Sequence, residues 1–152
     1  MALNFRWTDG EDKDFRHFRF VTEQYYSEIV GGEENRKDFI PYNLSSAIED
    51  VLVVYEDGRA VACAGLKKYS ETEAEIKRVW VEPAYRGRRI ATMMMARIEE
   101  KAMMKGYRKV ILQTREILED AVRLYTKLDY HLISNYPPYD KLEGAVCFAK
   151  VL

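Results

Sequence analysis

The sequence predicts a mixed α/β fold built on a mainly antiparallel sheet. Three observations carry that expectation. β-rich runs at 51–55, 60–69 and 73–81 follow one another through short turns, as the strands of a meander do. From Ile90 the apolar spacing changes to every fourth residue, at Ile90, Met94, Ile98 and Ala102. Beyond Gly106 a strand-like and a helix-like stretch alternate once more before the final strand-like residues.

Taken in order, residues 4–8 read as a short first strand, closed by the turn signal Asp9-Gly10. Phe15, Phe18, Val21, Tyr25 and Ile29 recur at spacings of three and four, so 14–30 is an amphipathic helix ended by Gly31 and Gly32. Residues 33–46 are polar, are broken by Pro41, and form a loop or a short helix. Asp57-Gly58 makes a hairpin turn and Ser70-Glu71-Thr72 a second turn, so 51–81 is an antiparallel meander. The helix starting near Ile90 has a broad apolar face, widened by Met93 and Met95, and stops at Gly106. A short buried strand follows at 109–113, then a helix marked by Ala121, Leu124, Tyr125 and Leu128. Residues 131–133 and 145–152 complete the sheet. The strand–helix–strand unit from Glu73 to Gln113 calls for two parallel strands joined by a right-handed crossover. No repeat, low-complexity stretch or linker interrupts the chain, so one domain over 1–152 is expected.

Bulk properties exclude several classes. With 47% hydrophobic and 32% charged residues the composition is that of an ordinary globular protein. Lys and Arg total 24 against 25 Asp and Glu, which leaves no electrostatic footprint for nucleic acid. The opening residues MALNFRWTDGEDKDF lack an apolar core and carry early acids, unlike a secretory leader. No apolar stretch approaches the length of a membrane span. Cys63 and Cys147 lie far apart and lack metal-ligand spacing, so both are expected as buried reduced thiols. The expectation is a cytoplasmic protein with no metal and no nucleic-acid or membrane partner.

Residues 81–95, VEPAYRGRRIATMMM, crowd Arg86, Arg88 and Arg89 around Gly87 between a strand and a helix. Like charges this close repel unless something negative sits among them. A helix N-terminus offers unpaired N–H groups and partial positive charge. A glycine turn lets successive amides face one concavity, and arginines suit phosphate. Together these describe a phosphate or pyrophosphate site, against the plainer reading of a solvated basic turn paired to nearby acids. Neither G-x-x-x-x-G-K-[ST] nor G-x-G-x-x-G is present, so the Walker and dinucleotide loops are excluded.

The segment 75–100, EIKRVWVEPAYRGRRIATMMMARIEE, resembles the central motif of the GNAT superfamily of N-acetyltransferases: a strand, V-x-P-x-x-R/Q-x-x-G-x-G/A, then a helix. The match falls on Val81, Pro83, Arg86 and Ala91. A second family segment, A-x-x-L-Y-x-K-x-G-F/Y, is matched by Ala121, Leu124, Tyr125, Lys127 and Tyr130. VACAG at 61–65, AEIKR at 74–78 and VCFAK at 146–150 are similar to stretches of small bacterial members. The similarity runs from about residue 51 to the C-terminus. It implies a mainly antiparallel sheet with helices on both faces, and acetyl-CoA as donor of an acetyl group to a primary amine. It also implies pyrophosphate contacts at Arg86, Gly87, Arg88, Arg89, Ile90, Ala91 and Thr92. The pantetheine arm would lie along Val79, Trp80 and Val81, in a gap where the fourth and fifth strands splay apart. The chain departs from the pattern at Arg89, where the family has glycine, at Leu118, where many members have asparagine, and at Asp129, again a family glycine.

The resemblance extends to roles. Glu75 stands where several members carry the general base; its plainer reading is a strand carboxylate paired with Lys77 or Arg78. The backbone N–H near Val79 is the candidate oxyanion donor. Tyr125 matches the family tyrosine that protonates the leaving thiolate; its plainer reading is a core tyrosine. The acceptor pocket of this fold is usually built by the first two helices and the loop before the last strand, which here carry Tyr25, Tyr26, Asn43, Tyr136 and Tyr139. His17 and His131 have no partner spacing and are read as structural. The expected function is acetyl transfer to a small-molecule amine by direct attack in a ternary complex; the alternative is a CoA-binding module with little transferase activity. Pairing through the final strand offers a homodimer.

Overall fold

The alternating and near-helical spacings resolve into ten elements in the computed structural model, which describes residues 2–29 and 48–152. They are β1 (Leu3–Thr8), α1 (Lys13–Ile29), β2 (Asp50–Glu56), β3 (Arg59–Lys68), β4 (Glu73–Val81), α2 (Ile90–Met104), β5 (Lys109–Arg115), α3 (Glu119–Lys127), β6 (His131–Ile133) and β7 (Ala145–Val151). The expected loop or short helix at 33–46 and the Gly31-Gly32 stop lie outside the described residues. α1 starts where the Asp12 carboxylate accepts the N–H groups of Asp14 at 2.9 Å and Phe15 at 3.1 Å, a side-chain N-cap.

All seven strands form one sheet in the order β1-β2-β3-β4-β5-β7-β6. The expected meander is present as antiparallel pairs from β1 to β4. Among the described residues β4 and β5 are the one parallel pair, as the strand–helix–strand unit requires. Alternation along β2 divides the core. Val51 and Val53 face α1, packing with Phe15, Phe18, Cys63 and Trp80. Leu52 and Val54 face the other way, toward Ile90, Met94, Met95, Ile98 and Ala102 of α2 and Tyr125 of α3. Helices therefore cover both faces, each burying one apolar stripe.

The final strand lies inside the sheet: β7 pairs along its length with β5, and β6 pairs on its other side with Cys147, Phe148 and Ala149. Among the described residues, no helix is long and apolar enough to cross a membrane, and no cluster of His, Cys, Asp or Glu is arranged to hold a metal.

Candidate active site

The site begins as a defect in sheet pairing. β4 and β5 pair only from Glu73 to Glu75 against Lys109 to Ile111. Beyond Glu75 the two strands part, and a cleft of about 800 Å³ opens between them. β4 is also bulged against β3, between Cys63 and Gly65, where Arg78 takes a left-handed φ of 59°. The extra residue changes the alternation, so Glu75 and Lys77 share a face with Trp80 instead of with Val79 and Val81. The Arg78 guanidinium reaches α1 and donates to Glu23 at 2.7 Å.

One end of the cleft is the arginine-rich turn. The backbone is left-handed at Gly87 (φ 80°) and again at Arg89 (φ 63°, ψ 19°), the residue before α2. Arg89 thus adopts the conformation that a glycine would take without cost. Asp129, at the other family glycine, does the same with φ 69°. The bond from Met93 N–H to the Arg89 carbonyl, 3.1 Å, opens α2, so the amides of Ile90, Ala91 and Thr92 have no acceptor within the helix. Among the described residues no side chain caps this end, and no acid lies in its first turn. Gly87, Arg89, Ile90, Ala91 and Thr92 all line the cleft.

The other two arginines behave differently from each other. Arg86 lines the cleft, but its guanidinium braces the turn: Nε donates to the Val81 carbonyl at 2.9 Å and Nη1 to the Tyr25 hydroxyl at 3.0 Å. It stacks over Trp80 and Tyr25, 4.8 and 5.0 Å from the ring centroids. The Arg88 side chain, expected among the phosphate contacts, lies outside the cleft lining. It pairs with the buried Glu56 carboxylate at the end of β2 and stacks on Tyr85.

The middle of the cleft is lined by Val79, Trp80 and Val81 from β4, and by Leu118 and Tyr125 from the α3 side. Tyr125 is buried, 6% exposed, and burial first, then the neighbouring Tyr26, push its phenol well above the ordinary tyrosine range. Burial likewise raises Tyr26 to about 12, against the pull of Arg86.

On the α1 side, Tyr25, Tyr26 and Tyr139 line the cleft. Asn43 lies outside the described residues. Tyr136 is buried and outside the cleft lining, and its hydroxyl donates to Glu75 Oε2 at 2.8 Å. Lys77 Nζ donates to the Tyr139 hydroxyl at 2.9 Å and stands 4.0 Å from Glu75 Oε1. The pairing of Glu75 with Lys77 is therefore present, and Glu75 still faces the cleft. Thr22 and Arg115 line the cleft without having been singled out in the sequence, and so do Lys77 and Arg78, read there only as partners for Glu75. For Lys77 a signal existed, since Glu73, Glu75 and Lys77 alternate with the apolar Ala74 and Ile76 along β4.

This architecture is shared with acyl-CoA N-acyltransferases. A Klebsiella pneumoniae structure of that description superposes with a TM-score of 0.81 at 21% identity, over 99% of this chain and 98% of that one. The PaiA N-acetyltransferase of Thermoplasma acidophilum, solved in complex with coenzyme A, superposes with 0.77 at 16% identity over 100% of both chains. In sequence, residues 7–130 match the family model for the Acetyltransferase (GNAT) family, and the chain belongs to that family. An acetyltransferase of Pectobacterium atrosepticum is 27% identical over 84 residues, which is 55% of this chain and 60% of that protein. The matched stretch thus spans less than two thirds of this relative.

Proposed function

We propose that this protein is an N-acetyltransferase that moves the acetyl group of acetyl-CoA to a primary amine of a small molecule, by direct attack in a ternary complex. One observation carries the reading: β4 and β5 part after three residue pairs, beside an α2 N-terminus that no side chain of the described residues caps. The open edge of β4 is suited to an amide-bearing arm, and the uncapped amides with Arg89 are suited to a pyrophosphate. In this reading the backbone of Val79, Trp80 and Val81 holds the pantetheine arm. The turn from Arg86 to Thr92 holds the phosphates, with Arg86 and Arg88 bracing it from outside.

Acetyl-CoA supplies an activated acyl group on sulfur. The protein's task is to place an amine, take a proton from it and return one to sulfur. Glu75, at the floor of the cleft, takes the amine proton; Tyr136 and Lys77 hold it in place. Tyr125 gives a proton to the departing sulfur. Burial keeps the Tyr125 proton in place, and the same dry setting makes a thiolate more basic, so the transfer remains matched. Tyr25, Tyr26 and Tyr139 form the acceptor wall, with an aromatic surface and polar edges. Both cysteines are buried and free, which suits a reducing compartment such as the cytoplasm.

The test is acetyl-CoA with a mixed amine panel, following thiol release. Amine-dependent release is expected, together with a thermal shift on adding acetyl-CoA. In Tyr125→Phe, kcat should fall roughly 10²-fold while CoA affinity stays close to wild type. A thermal shift without release for any amine would make the protein a CoA-binding module. No shift and no release would defeat the reading.

A further inference from the structure

An external acceptor must bring an amine into the cleft within reach of a proton acceptor. One amine of the chain already stands there. Lys77 extends from β4 into the cleft lining, on the strand that leads into Val79. Its side chain is 11% exposed, and Nζ lies 4.0 Å from Glu75 Oε1 and 2.9 Å from the Tyr139 hydroxyl. We infer that Lys77 is a self-acetylation site: when no acceptor fills the pocket, the protein transfers an acetyl group to its own Lys77 Nζ.

The inference rests on the acetyltransferase reading above. Burial is the first cause lowering Lys77 below the ordinary lysine value, Lys67 and Arg78 add to the effect, and Glu75 opposes it. A larger fraction of neutral amine at a given pH follows than for a solvated lysine. The step balances. Starting from the ammonium, Nζ gives one proton to Glu75, and its lone pair then forms the N–C bond to the acetyl carbon. The C–S bond breaks, sulfur leaves with the bonding pair and takes the Tyr125 phenol proton, and the second Nζ proton passes back to the Tyr125 phenolate. The products are an amide on Lys77, a free CoA thiol and one proton passed on to water. The amide has no charge and is longer than the amine, so it would occupy the acceptor pocket and leave Glu75 without its cation. Self-acetylation would therefore slow transfer when acceptor is scarce.

The full chain is incubated with acetyl-CoA and no amine, and acetylation is mapped by peptide mass spectrometry. The urea-unfolded chain gives the chemical background. Expected is a first-order gain of one acetyl group on Lys77, independent of protein concentration and roughly tenfold or more above background. Glu75→Gln should slow it by a similar factor, and an added acceptor should suppress it. Competitive labelling of the CoA-free protein with acetic anhydride across pH is a separate readout, with the Lys77 midpoint below that of exposed lysines. Lys77 at background level, in protein that releases thiol with an added amine, would overturn this inference alone. A Lys77 midpoint at or above the exposed lysines would also overturn it. Loss of thiol release with every amine and of the acetyl-CoA thermal shift would instead remove the acetyltransferase reading, and this inference with it.

Discussion

Three neighbouring arginines in one turn have three different fates, and only their crowding was legible in the sequence. Arg86 braces, Arg88 is tied to Glu56, and Arg89 faces the cleft from a left-handed backbone. Side-chain direction in so short a turn depends on partners far along the chain, which no local pattern carries. What the sequence did expose is where backbone strain would fall: both positions at which this chain lacks a family glycine, Arg89 and Asp129, have positive φ. That makes Arg89 testable by substitution. Arg89→Gly relieves a left-handed strain of about 1–2 kcal/mol and returns about 0.5–1 kcal/mol as added freedom of the unfolded chain. A small net gain in stability is expected by urea unfolding. CoA affinity should fall roughly three- to tenfold in the same variant, because a cation is lost from the proposed anion site. Tighter CoA binding in Arg89→Gly would mean that the guanidinium obstructs the site.

At the level of elements, periodicity fixed most of the outcome. Alternation located the strands, and the four-residue spacing from Ile90 located α2, whose buried face is Ile90, Met94, Met95, Ile98 and Ala102. The bulge in β4 was not legible, because a bulge is a property of two strands in register and not of one. Its consequence is large: without the extra residue at Arg78, Trp80 would turn to the face of Ile76 and leave the α1 wall. The turn between β4 and α2 also depends on a distant element, through the Arg88–Glu56 pair. Glu56 is 7% exposed, so removing Arg88 strands a carboxylate away from water. Arg88→Ala should cost about 2–3 kcal/mol, somewhat less than a fully buried pair because Arg88 keeps partial exposure. Adding Glu56→Gln should restore more than half of that loss. Urea unfolding of the two singles and the double measures the coupling; simple additivity would show that the pair does not hold the turn.

Across the whole molecule, the half of the cleft proposed for the donor was readable and the half proposed for the acceptor much less so. The donor half lies within one contiguous segment, from β4 into α2. The acceptor half is assembled from α1, β4 and the loop before β7, and Tyr136 meets Glu75 across 61 residues of sequence. Eleven tyrosines in the composition hinted at an aromatic wall without saying which of them converge. Their convergence has a consequence for the entire fold. Tyr125, Tyr130, Tyr136 and Tyr139 are all buried, and burial is in each case the first cause pushing the phenol above the ordinary tyrosine value. A group whose folded-state value is raised leaves stability untouched below its unfolded value, here about pH 10, and lowers it above. Past that point the unfolded chain releases protons that the folded chain retains. Each phenol then removes about 1.4 kcal/mol per pH unit, so four together remove about 5 kcal/mol per unit. Against a typical total of about 5–15 kcal/mol, the protein should unfold within roughly one to three pH units above 10. Circular dichroism and phenolate absorbance followed together from pH 9 upward, over about three units, provide the check. Exposed tyrosines should ionise first with the fold intact, and the buried group should ionise only as ellipticity is lost. Complete phenolate formation with native ellipticity retained would show that these four rings do not carry the load assigned to them.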